Sequence, residues 1–185
     1  TLLSHFRLRA LSRDIEKITG HKPKDLSVYK LALRHSSAYP FRKKKGERNN
    51  ERLEFLGDSV LDLIVAEALF YRFPEEDEGF LTKLRSKIVS RENLNSAADE
   101  LGVPNLLVAN LRGNTSQSIY GDALEALVGA CYIDLGLYKT QLMVVERIVN
   151  PFLSNPERRK RVRNHKSEII EYFQAKKLKF EFVQL

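Results

Sequence analysis

Two stretches of this chain combine an apolar helical body, acids one turn apart and an internal glycine. They are NNERLEFLGDSVLD (residues 49–62) and GDALEALVGACYID (residues 121–134). In the first, Glu54 and Asp58 share one helical face, and Glu51 precedes them on the same side; in the second, Asp122 and Glu125 pair in the same way. Like charges at this spacing destabilise a helix by roughly 0.2–0.5 kcal/mol per pair. An interior glycine, such as Gly57 or Gly129, costs about 1 kcal/mol relative to alanine. Both costs have one explanation if the two helices pack side by side. The glycines then allow close backbone approach, and the two acid pairs converge. Gly121, directly before Asp122, serves the same purpose. Carboxylates that close repel one another or take up protons, and a divalent cation removes the problem. Oxygen-only ligands favour the hard ions Mg2+ or Mn2+. Acids one turn apart are common on surface helices, and it is the combination with apolar flanks and glycines that points to metal. A helical di-iron centre fits poorly, because it uses Glu-x-x-His motifs and neither helix contains histidine.

The rest of the chain is punctuated as helices. Residues 2–19 carry apolar positions at Leu2, Phe6, Leu8, Leu11, Ile15 and Ile18, with Gly20 as a stop. Asp25 is a candidate N-cap for a helix to about His35, and residues 36–48 read as an exposed loop. Asn49 or Asn50 caps a long helix from Glu51 to about Phe73, before Pro74. Further helices are expected after residue 79, with Leu81, Leu84, Ile88 and Val89 inward, and from Arg91 to Leu101, closed by Gly102. Residues 103–115 read as loop or fragmentary helix. A second long apolar helix runs from Ser116–Ser118 to Leu135, and an amphipathic one spans 138–153. The pattern is that of an all-α domain over residues 1–155. Residues 156–163 read as a basic linker. After it, NHKSEIIEYFQAKK looks helical and LKFEFVQL alternates like a strand. This second domain is cut short, because about 22 residues build no core of their own. Its apolar side, with Ile169, Ile170, Phe173, Phe180 and Val183, is expected to dock on the first domain or on a neighbouring chain.

Charge is unevenly spread. Residues 1–48 hold 13 Lys/Arg against 4 Asp/Glu, residues 49–110 hold 6 against 12, and residues 157–185 hold 9 against 4. Basic flanks suit a phosphate backbone, whereas an acidic centre suits one only with cations in between; solvated surface charge is the alternative. No apolar run approaches the roughly 18–20 residues needed to cross a bilayer, so no membrane association is expected. No leader pattern opens the chain. The start at Thr1 suggests a trimmed N-terminus. The lone Cys131 sits in ALVGACYI, and a buried, inert thiol in a reducing cytoplasm is the expected state.

NERLEFLGDSVLD resembles the signature of the ribonuclease III family, double-strand-specific endoribonucleases. YGDALEALVGACYIDLG is similar to that family's second acidic motif, LALRHSS (31–37) to an early element, and FPEEDEGFLTKLRSKIVS to the segment after the signature. The resemblance covers roughly residues 10–153. NHKSEIIEYFQ resembles the opening helix of the double-stranded-RNA-binding domain found after the nuclease domain in simple bacterial forms.

The resemblance implies that Glu54, Asp58, Asp122 and Glu125 are catalytic ligands of Mg2+, with Mn2+ as a substitute. It marks Glu51 and Glu78 as auxiliary acids, and His35 and Ser37 as structural positions. Phe55 matches an aromatic that docks into the partner subunit of a homodimer, with ordinary core packing as the alternative. The implied reaction is cleavage of duplex RNA in rRNA and mRNA processing, leaving 5′-phosphate and 3′-hydroxyl ends with short 3′ overhangs. A non-catalytic RNA-binding or ribosome-associated protein of the same fold is the competing reading, though such relatives usually lose acidic ligands and here all four are present. Arg42, Lys43, Lys44 and Lys45, with Arg158, Arg159, Lys160, Arg161 and Arg163, are candidates for RNA-backbone contacts; solvated loop charge is their alternative.

Overall fold

The computed structural model describes residues 2–38, 49–110 and 119–156. The basic loop 42–45, the basic linker and the 164–185 segment lie outside the described residues. Among the described residues, eight α-helices follow in chain order: α1 (Leu2–Thr19), α2 (Leu26–Ala32), α3 (Glu51–Arg72), α4 (Glu78–Ile88), α5 (Arg91–Glu100), α6 (Ile119–Leu135), α7 (Leu137–Val144) and α8 (Asn150–Ser154). Short 3-10 turns occupy Ser36–Ala38 and Val103–Asn105. Among the described residues there is no strand, only an isolated bridge between Arg34 and Val108. The fold class is all-α. None of the described helices is long and apolar enough to cross a membrane.

Helix α6 is the centre of the core. Ala123, Leu124 and every residue from Ala126 to Cys131 are buried, the pattern of a helix enclosed on all sides. Its most extensive partner is α3. The two backbones touch at the glycines: a Cβ on Gly57 would collide with the Glu125 carbonyl, and one on Gly129 with the Leu53 carbonyl. Around this pair pack Ile15 of α1, Tyr29 of α2, Ile88 of α4, Leu94 of α5, and Met143, Ile148 and Phe152 of the C-terminal helices.

Three helix starts carry side-chain caps, of which Asp25 is the expected one. The Asp25, Asp77 and Ser90 side chains accept from the backbone N–H groups of Ser27, Phe80 and Asn93, which satisfies orphan donors. Before α3 the Asn49 side chain accepts from the Glu51 N–H at 3.3 Å. Asn50 is buried and makes no cap bond.

Three local expectations are corrected. The second helix ends at Ala32 rather than near His35, because the chain there pairs elsewhere. The Leu33 carbonyl accepts from the Val108 N–H at 2.8 Å, and the His35 N–H donates to the Val108 carbonyl at 3.0 Å. The final helical run, 137–154, is uninterrupted but not uniformly α-helical. A π-helical turn at Val145–Val149 separates α7 from α8, with the Asn150 N–H donating to the Val145 carbonyl, just before Pro151, which has no N–H to continue the regular ladder. Among the described side chains of α1, the apolar residues Leu11, Ile15 and Ile18 meet the core, whereas Phe6 stays exposed.

Cys131 is free and buried, and burial pushes its thiol above the usual range. Asp134 does not cap its own helix, which ends at Gly136 with φ 81°. It reaches across to α2. One carboxylate oxygen accepts from the Lys24 N–H at 2.8 Å and the Tyr29 hydroxyl at 3.1 Å, the other from the Asp25 N–H at 2.9 Å.

Candidate metal centre

Glu54 lies on the first turn of α3, and Asp122 and Glu125 on the opening turns of α6. The glycine contact draws these helix ends together. One oxygen from each of the three carboxylates lies within 4.8 Å of the others. They share a cavity of about 240 Å3 with Arg91, walled by Val89, Leu94 and Gly121.

The electrostatics are those of an acid cluster short of positive charge. Partial burial raises the Glu54 carboxyl above its ordinary value, and the charges of Asp122, Glu51 and Asp58 add to it. Asp122 is likewise raised by burial, with Arg91 and His35 working against the shift. Glu125 is the most affected. Burial first, then the charges of Asp58, Asp122 and Glu54, push it up to about 7. An oxygen-only donor set with raised proton affinity fits a hard divalent cation, which would take the place of bound protons.

The other residues singled out in the sequence fall around this centre at different distances. Asp58 is exposed on the next turn of α3 and acts on Glu125 through its charge, but it is not among the three converging carboxylates. Glu51 is exposed and acts on Glu54. Glu78 lies apart. It accepts from the Thr82 hydroxyl at 2.8 Å and lines a separate groove between α3 and α4. Phe55 is 79% exposed, so in this chain it is no part of the core. Leu63 and Phe70 follow on the same side of α3 and are also exposed, and the groove beside Leu63 and Phe70 continues over Ala66 and Leu81. His35 Nδ1 faces the Ser37 hydroxyl at 2.8 Å and also accepts from the Ser37 N–H. The Ser37 oxygen accepts from the Asn110 N–H.

Two residues near the centre have no counterpart in the sequence reading. Asn95 of α5 accepts through its side-chain oxygen from the Gly121 N–H at 2.7 Å. It thereby satisfies a donor in the first turn of α6 and fixes the backbone beside Asp122. No sequence signal marks it, because the bond crosses between helices. Arg91 does carry a weak signal: it is a cation in the first turn of a helix, where the macrodipole disfavours positive charge.

A model of the Ribonuclease-III-like family matches residues 25–152. The chain is 39% identical over 169 residues to Ribonuclease 3 of Azobacteroides pseudotrichonymphae, which covers 91% of this chain and 65% of that protein. It is 41% identical to Ribonuclease 3 of Phocaeicola vulgatus, covering 90% of this chain and 54% of that protein. The chain thus spans between about half and two thirds of the length of these relatives. Among solved structures, the nuclease domain of ribonuclease III from Campylobacter jejuni superposes with a TM-score of 0.66 at 34% identity, over 76% of this chain and 95% of that one. A second structure of that domain is described by flexibility in a region involved in dimer formation. Dicer from Pichia stipitis matches at a TM-score of 0.54 and 32% identity, over 70% of this chain and 56% of that one.

Proposed function

This chain belongs to the ribonuclease III family, and from that premise we propose that it is a divalent-metal-dependent endoribonuclease acting on double-stranded RNA. The products are 5′-phosphate and 3′-hydroxyl ends with short 3′ overhangs. The observation that carries this reading is the convergence of Glu54, Asp122 and Glu125 beside the glycine contact. These three hold Mg2+, or Mn2+ in its place, and Asp58 is the fourth ligand, one turn beyond Glu54. When bound, the ion supplies charge neutralisation at the phosphate and activation of water for hydrolysis.

The protein's own contribution is to hold the acids ready. Two rigid helices fix them, so little reorganisation is needed when the cation arrives. Asn95 anchors the backbone beside Asp122. Duplex RNA is recognised by its A-form shape and 2′-hydroxyls rather than by sequence. Lys/Arg at 42–45 and 158–163 are the candidate backbone contacts, and residues 164–185 are read as the start of an RNA-binding domain. RNA maturation in the cytoplasm is the corresponding role.

Glu125→Gln tests the reading. The change keeps size and hydrogen bonding but removes a charge. Cleavage of duplex RNA under Mg2+ should fall by at least about a thousandfold, near 4 kcal/mol of transition-state stabilisation, while gel-shift affinity for the duplex persists. Cleavage at a wild-type rate would remove the assignment.

The exposed apolar stripe on α3 is the proposed homodimer face. Phe55 lies about 100° around the helix from Glu54, so the dimer surface and the metal site share an edge. Phe55→Ala should shift sedimentation toward monomer. Unchanged dimerisation would place the interface elsewhere.

A further inference from the structure

We propose that Arg91 is a phosphate-binding residue of this centre, gripping a phosphodiester oxygen of the RNA in the cavity it shares with the metal-holding carboxylates. The inference rests on the nuclease reading above and adds a residue that neither acidic motif contains. Arg91 is the first residue of α5, directly after its Ser90 cap. It lines the same cavity as Glu54, Asp122 and Glu125. Its charge acts on all three.

The geometry is informative for what it lacks. Among the described residues, no hydrogen bond or ion pair ties this guanidinium to any of the three acids. It stands near them without collapsing onto them. A cation in the first turn of a helix opposes the macrodipole, so helix stability does not explain it. Packing does not explain it either, since the side chain is exposed. The cavity lining carries both charges: carboxylates for a cation, and a guanidinium for an anion. Once a divalent ion neutralises the carboxylates, Arg91 loses its attraction to them and its five N–H donors are free for a new partner. A phosphodiester lying against the ion offers two non-bridging oxygens, and the planar fork of arginine matches such a pair better than lysine does. The competing role is that of a resident counter-charge, which only eases repulsion among the acids before metal binds.

Three measurements separate these roles. The first is single-turnover cleavage of duplex RNA by wild type, Arg91→Gln and Arg91→Lys at saturating Mg2+. The second is duplex affinity against salt, with Arg91→Gln compared in a Glu125→Gln background. The third is Mn2+ binding by electron paramagnetic resonance without RNA. A phosphate contact predicts cleavage slowed about 10–100-fold in Arg91→Gln, with partial recovery in Arg91→Lys. It also predicts a log–log salt slope smaller by about one and no weakening of Mn2+ binding. An unchanged salt slope overturns the proposal, whether or not Mn2+ binding tightens. If wild type fails to cleave duplex RNA, the nuclease reading falls, while the salt slope still decides whether Arg91 binds phosphate. Because Arg91 is exposed, its variants should melt like wild type, and this is checked first.

Discussion

The two ends of α6 carry carboxylates of opposite fate. At its C-terminal end Asp134 is met by three donors, two backbone N–H groups and the Tyr29 hydroxyl. At its N-terminal end Asp122 and Glu125 face another acid, Glu54, and among the described residues no comparable set of hydrogen-bond donors. Both groups lie on one helix and within one apolar motif. The difference shows that an acid in an apolar helix is structural when the fold supplies its donors. When the fold gathers three acids around the one guanidinium of Arg91, the site favours a cation from outside, and that preference is what the proposed chemistry uses.

The strongest way to break this comparison is to remove the frame that both ends share. Gly129→Ala places a methyl group against the Leu53 carbonyl, and neither backbone can give way without separating α3 from α6. Overpacking a core costs about 1–3 kcal/mol, and a backbone contact should lie at or above the upper end. Urea denaturation measures the loss, and Mn2+ affinity should fall with it. A fully stable variant that still binds Mn2+ would show that the glycine contact does not set the site.

Asp134→Ala sharpens the contrast from the structural end. It strips the acceptor from three donors, and each buried donor left unpaired costs about 1–3 kcal/mol. Since the Lys24 and Asp25 amides are exposed and can turn to water, the expected total is about 1–3 kcal/mol. Cleavage below the melting temperature should stay within a few-fold of wild type, in contrast to Glu125→Gln. A large loss of cleavage in folded protein would mean the two ends are not separate.

The smallest expected effect is a pH signature at the other end. The Glu125 carboxyl rises from 4.5 to about 7 on folding, so its ionisation opposes the folded state. The penalty is absent below the unfolded value, grows as pH rises through the interval, and is complete above about 7. Without metal, Glu125→Gln should therefore be more stable than wild type at about pH 8, with the gap closing toward about pH 4.5. Saturating Mg2+ should reverse the order, because a ligand that binds only the folded state stabilises it by mass action. Thermal melts across pH, with and without Mg2+, read both. A pH-independent difference would mean that Glu125 is not strained by its neighbours.

Much of this was legible in the chain itself. Helix-forming periodicity, glycines placed inside apolar helices, and acids one turn apart are properties of a few consecutive residues. They were enough to expect α3, α6 and their backbone contact, because a glycine in a helix interior and a run of like charges each carry a local cost that asks for a distant cause. For Phe55 the sequence left partner docking and core packing both open, and its exposure excludes the core. What packing alone decided involves partners far apart in sequence. Residues 33–35 leave the helix to meet Val108, Asn95 caps α6 from α5, and Asp134 anchors the start of α2. Packing also gathered Glu54, Asp122 and Glu125 into one group with Arg91 in the same cavity, while Asp58 is not among the converging acids and Glu78 lines a different groove. Periodicity fixes which way a side chain leaves its own helix. Which side chains share a cavity depends on how separate helices cross, and that is set by the whole core at once.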